Sequence, residues 1–101
     1  AIFESYTIKS KLNDKVIDAD IGCTGENNCK VHLCSRIPTG IRTNQEWRLE
    51  KLPNGNYRIK CVAGNKPMRV APGCASQDGC RFELIGADNT TTQQWVLQKV
   101  N

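Results

Sequence analysis

The sequence predicts an all-β protein built as two tandem four-stranded modules stapled by disulfides, and three observations predict it. The chain repeats itself. Tyr6-Thr7-Ile8-Lys9 returns as Tyr57-Arg58-Ile59-Lys60, Gly22-Cys23 as Gly73-Cys74, and Cys29-Lys30-Val31-His32-Leu33 as Cys80-Arg81-Phe82-Glu83-Leu84, all at an offset of 51 residues. No window sustains a period of 3.6; short runs of β-branched and aromatic residues are instead broken by glycine or proline. Six cysteines fall within 101 residues, an even number in a chain too short for a deep core of its own.

Each element follows from its residues. Residues 5–9, Ser-Tyr-Thr-Ile-Lys, form a first strand, and Lys15-Val16-Ile17-Asp18-Ala19 a second after the turn at Asn13-Asp14. Gly22 to Cys29 is turn chemistry throughout. Lys30-Val31-His32-Leu33-Cys34 alternates with period two, placing Val31 and Leu33 on one face and Lys30, His32 and Cys34 on the other. Pro38 and Gly40 mark a loop, and Glu46 to Lys51 is a fourth strand with Trp47 and Leu49 pointing the same way. Pro53-Asn54-Gly55-Asn56 predicts a type I′ hairpin into the next module. That module repeats the plan as Tyr57–Cys61, Pro67–Val70, Arg81–Ile85 and Trp95–Lys99. One domain, residues 1–101, thus holds two repeats at about 5–52 and 56–101. Asn44-Gln45-Glu46-Trp47 and Thr92-Gln93-Gln94-Trp95 are equivalent but only 48 residues apart, so the first repeat carries three extra residues between Cys34 and Gln45.

The repeat also organises the cysteines. Cys23 with Cys29 and Cys74 with Cys80 are equivalent pairs, each closing the loop between a second and a third strand. Cys34 and Cys61 remain, and the connectivity that respects the repeat pairs them, joining the third strand of one module to the first strand of the next. By loop entropy that longer bridge would contribute roughly 3–4 kcal/mol and each short one roughly 2. The absence of any Cys-x-x-Cys pair and the single His32 favour this framework over a zinc site, so neither metal nor cofactor is expected. Disulfides and a chain starting at Ala1 suit a mature secreted protein.

Charge and motifs exclude several functions. The net charge of +4 is spread among apolar residues rather than clustered, which argues against nucleic acid as partner. No apolar run reaches the ~18 residues of a membrane span. There is no Gly-x-Ser-x-Gly or His-Glu-x-x-His pattern, and Asp18 with Asp20 reads as a charged strand face rather than a glycosidase pair. The chain is therefore not expected to be an enzyme. Asn89-Thr90-Thr91 is a glycosylation sequon.

A Tyr-x-Ile strand, a Val-Ile-Asp strand, Val-x-Leu-Cys and Asn-Gln-x-Trp-x-Leu together resemble the ricin B-type (Gln-x-Trp) lectin repeats of the β-trefoil superfamily. They are also similar to the fungal trefoil protease inhibitors, where a tryptophan strand runs through a Gly-Asn-Tyr turn as in Trp47 to Ile59. The resemblance implies a β-trefoil-like fold, yet a trefoil has three repeats and this sequence shows two. Swapping a repeat between protomers of a homo-oligomer would complete a trefoil, and a small two-module barrel or sandwich is the other closure. It implies core roles for Trp47 and Trp95, and makes Gln45 and Gln93 brackets for backbone groups.

For function, the resemblance implies lectin-like carbohydrate binding at one weak site in the first repeat, formed by Asp18, Asn44 and Gln45 with help from His32. The aromatic platform position falls on Cys34, which cannot stack on a sugar ring, and the second repeat has Arg69 and Ile85 where acid and platform belong. The enlarged loop offers an alternative. Cys34-Ser35-Arg36-Ile37-Pro38 resembles the binding loop of substrate-mimicking inhibitors, with Arg36 entering the pocket of a trypsin-like serine protease and Ser35, Ile37 and Pro38 flanking it. A toxin or effector role against a host protein is a further alternative. The expected partner is accordingly a carbohydrate or a protein such as a serine protease.

Overall fold

The computed structural model describes residues 4–74 and 76–99. Among these residues six strands form: β1 (Val16–Ala19), β2 (Cys29–Cys34), β3 (Trp47–Lys51), β4 (Tyr57–Cys61), β5 (Met68–Val70) and β6 (Phe82–Leu84). Single 3-10 turns at Thr43–Gln45, Pro72–Cys74 and Thr91–Gln93 are the helical pieces among the described residues. The fold is all-β, as the sequence predicts. One sheet runs β1-β2-β6-β5 and a second is the hairpin β3-β4, every pairing antiparallel, and the sheets do not close into a barrel.

The expected strands at 5–9 and 95–99 appear only as isolated bridges. Tyr6 and Trp47 exchange both backbone hydrogen bonds, at 2.7 and 2.9 Å, and Tyr57 and Trp95 repeat the exchange at 2.9 and 2.8 Å. The first stretch also meets β1 through a Lys9–Val16 bridge, Ile17 N–H donating to Ile8 O and Ser10 N–H to Lys15 O, each at 2.8 Å, but neither stretch extends into a ladder; Tyr6, Val96 and Leu97 stay exposed beside them.

The hairpin at Asn54-Gly55 forms with a different turn. Only Gly55 has positive φ, at 90°, because Pro53 is locked at negative φ and suits the first central position of a type I turn. Gly55 N–H donates to Leu52 O, Leu52 N–H to Asn56 O, and Asn56 N–H to Asn54 Oδ1. A type I turn followed by a left-handed glycine replaces the expected type I′ turn.

The core is Val16, Ala19, Cys29, Val31, Trp47, Ile59, Cys61, Met68, Ala71 and Leu84, all buried. Alternation along β2 puts Val31 inside and His32 outside, while Leu33 is 49% exposed where the strand outruns the core. Trp47 is fully buried, and its indole N–H donates to Ile17 O at 3.0 Å; the equivalent Trp95 donates to Met68 O at 3.1 Å and meets Phe82 edge-on. The tryptophans thus pin each repeat's tryptophan segment to its second strand.

Two of the three expected disulfides form, Cys23–Cys29 and Cys74–Cys80. The expected Cys34–Cys61 bridge does not, and both thiols are free. Being left over from the repeat does not bring two cysteines together. Cys34 ends β2 in the larger sheet opposite Val16, whereas Cys61 lies opposite Trp47 in the hairpin, its Sγ 3.6 Å from Thr43 O.

Candidate functional site

The β1–β2 ladder places Asp18 opposite His32, so both side chains rise on one face, and Cys34 follows two residues later on that face. The Thr43–Gln45 turn delivers Asn44 and Gln45 against the same carboxylate. Asp18 Oδ1 lies 3.0 Å from His32 Nε2, while Oδ2 accepts from Gln45 Nε2 at 2.8 Å and Asn44 Nδ2 at 3.2 Å. All four residues of the sequence-predicted sugar site therefore meet at one carboxyl group. Asp18 is only 6% exposed, Asn44 3% and Gln45 2%, so His32 forms the accessible edge. A surface depression beside it is lined by Lys30, Val31, His32, Arg81 and Phe82.

Gln45 also performs the bracketing role expected of it. Its Oε1 accepts from Ile37 N–H at 2.9 Å and its Nε2 donates to Ser35 O at 3.0 Å. Gln93 repeats this on the equivalent loop, accepting from Asp88 N–H and donating to Gly86 O. Arg36 is exposed, while Arg42 Nη1 donates at 3.2 Å to both Ile37 O and Pro38 O. The loop is held by Gln45 and Arg42 rather than by the disulfide the sequence suggested.

Three participants escaped the sequence reading. Cys34 is the first: the repeat pairs it with Cys61 and the resemblance makes it a failed platform, whereas its place two residues after His32 on a strand is the signal for a shared face. A carboxylate oxygen of Asp18, an imidazole nitrogen of His32 and the Cys34 sulfur all lie within 4.8 Å of one another. Burial raises the Cys34 thiol pKa, and the Asp18 carboxylate adds to that. Glu83 is the second: where the first repeat has Asp18 and His32, the second pairs Arg69 with Glu83, Nη2 to Oε1 at 2.7 Å. Arg42 is the third, and no spacing rule announces it.

A family model described as "ricin-type beta-trefoil lectin domain-like" matches residues 43–101, more than half of the chain. The chain belongs to this family. The match takes in the Thr43–Gln45 turn, all of β3 and the second repeat, so Asn44 and Gln45 lie inside it and Asp18, His32 and Cys34 outside. Among solved structures the chain is similar to a designed 3-fold symmetric protein, ThreeFoil, with a TM-score of 0.82 and 23% identity over 95% of this chain. It spans 65% of that protein's length, and at this identity the likeness concerns the fold, a β-trefoil. No curated protein matches the sequence.

Proposed function

We propose that this chain is a non-enzymatic carbohydrate-binding module with one weak site in its first repeat, at Asp18, His32, Asn44 and Gln45. The convergence of those four side chains on one carboxylate in a ricin-type repeat carries the reading. A carboxylate offers about four acceptor positions. His32, Asn44 and Gln45 occupy three, leaving one at the His32 edge for a sugar hydroxyl, with the imidazole as the neighbouring polar partner. Weakness follows from chemistry, because Cys34 stands where a stacking ring would supply most of the contact area. The two disulfides favour an oxidising compartment, consistent with a secreted protein.

Glycan-array binding followed by calorimetry on the best ligand tests this. Saturable binding that falls at least tenfold in Asp18→Asn and His32→Ala is expected, with Arg69→Ala leaving it unchanged. Absence of any saturable signal, or affinity indifferent to both first-repeat substitutions, would end the proposal.

A second reading, inhibition of a trypsin-like protease, is favoured by exposed Arg36 next to Ile37, whose N–H and C=O are both held from within. Such bracing lowers the ordering cost of binding. Residual trypsin activity at micromolar protein tests it, and full activity would remove it.

A further inference from the structure

We propose that Asp18, His32 and Cys34 form a binding site for a divalent transition-metal ion of the zinc class, confined to the first repeat. The inference is independent of the sugar reading, since coordination by these side chains requires no glycan.

The donor set is the first ground. Carboxylate oxygen, imidazole nitrogen and cysteine sulfur are the three ligand types zinc takes, and here they rise from adjacent positions of one β-ladder. Bond lengths of about 2.0–2.3 Å put tetrahedral ligand atoms roughly 3.3–3.7 Å apart. The mutual limit of 4.8 Å, with His32 Nε2 and Asp18 Oδ1 at 3.0 Å, comes within small side-chain adjustments of that figure. Three protein ligands leave the fourth position to water.

The polar balance around Asp18 is the second ground. Asn44 is 97% buried, and while its Nδ2 donates to Asp18 Oδ2 and Ala19 O, its Oδ1 has no hydrogen-bond partner. A buried acceptor without a donor is costly. It sits on the residue whose amide nitrogen holds Asp18, so acceptors outnumber donors around this carboxylate. Gln45 and Asn44 would then act as the outer hydrogen-bond shell that orients a ligating carboxylate.

The second repeat is the internal control. Its equivalents of Asp18, His32 and Cys34 are Arg69, Glu83 and Ile85, which fold the same ladder with an ion pair and an aliphatic side chain. Nothing in the fold therefore requires ligand chemistry at these positions. Free Cys34 is what separates the site from the disulfide framework. On binding, the thiol gives its proton to solvent and the sulfur lone pair goes to the metal. His32 ligates through Nε2, moving its remaining proton to Nδ1.

Cobalt(II) is the probe, because a thiolate ligand gives it a charge-transfer band that oxygen and nitrogen ligands do not. Titration of the full chain should bind one equivalent with that band, and zinc should displace it and raise the melting temperature. Cys34→Ile, which installs the second repeat's residue, should abolish the band and weaken zinc binding at least ~100-fold, given that losing even an outer-shell partner costs about 10–100-fold. His32→Ala should weaken binding while keeping the band, and covers the case in which Cys34→Ile fails to fold. No band at saturating cobalt, a band that survives Cys34→Ile but disappears in Cys61→Ala, or a Cys34–Cys61 disulfide in the purified protein would overturn the proposal.

Discussion

Asp18 lies opposite His32 in the first repeat, and at the equivalent register Arg69 lies opposite Glu83, so acid and base exchange strands between the two repeats. Both pairs span the same ladder position. Only the first is tied to the tryptophan-side turn, through Asn44 and Gln45. In the second, Arg69 also reaches Asn28 Oδ1 at 3.2 Å, linking the pair to the turn before β2.

This difference predicts unequal costs of substitution. Asp18→Ala removes one of the two acceptors of each buried amide nitrogen, Asn44 keeping Ala19 O and Gln45 keeping Ser35 O, and should destabilise the protein by about 2–4 kcal/mol, at ~1–3 kcal/mol for each N–H left unsatisfied. Glu83→Ala leaves Arg69, itself partly exposed, and should cost about 1–3 kcal/mol. Urea denaturation of both variants checks the order, and a costlier Glu83→Ala would refute it.

The tryptophans should also differ. Trp47 is fully buried and Trp95 only partly. Trp47→Ala should cost about 3–5 kcal/mol and Trp95→Ala less. Trp47→Phe keeps most of the buried area but leaves Ile17 O without its indole donor, a loss of about 1–2 kcal/mol. Thermal melts of the three variants give the comparison.

Gly64 has φ of 73°, and a Cβ there would lie 2.1 Å from Thr24 O and 2.7 Å from its carbonyl carbon. Left-handed strain and a backbone clash then add. Gly64→Ala should cost at least about 3 kcal/mol, whereas Gly55→Ala, with φ of 90° and open space around it, should lose only about 1 kcal/mol. Denaturant midpoints of the two variants measure this.

The free thiols give a pH dependence. Burial pushes the Cys61 thiol up to about 11 from an ordinary value of 9.0. Between those values the unfolded thiol ionises while the folded one keeps its proton, so the folded state binds more protons and stability falls as pH rises from about 9 to 11. Cys61→Ala should remove that part of the slope, read as the difference between two stability–pH curves. Iodoacetamide near neutral pH should label the partly exposed Cys34 first and Cys61 only on unfolding, as peptide mass spectrometry would show.

By itself the sequence determined what depends on local pattern and duplication. Runs of β-branched and aromatic residues, period-two alternation and the repeat announced β1 to β6. The matched Gln-x-Trp segments announced the packing of Trp47 and Trp95 and the Gln45 and Gln93 brackets, and the equivalent cysteine pairs announced both disulfides that form. These features are fixed within a repeat, where neighbours in space are near in sequence or copied from one module to the next. Tertiary structure decided whatever depends on which strand lies beside which. Register placed Cys34 next to Asp18 and His32 instead of Cys61, and set Glu83 against Arg69. It left the stretches around Tyr6 and Trp95 as isolated bridges instead of ladder strands. A covalent count can say that a cysteine is left over, but only the ladder's geometry gives it neighbours.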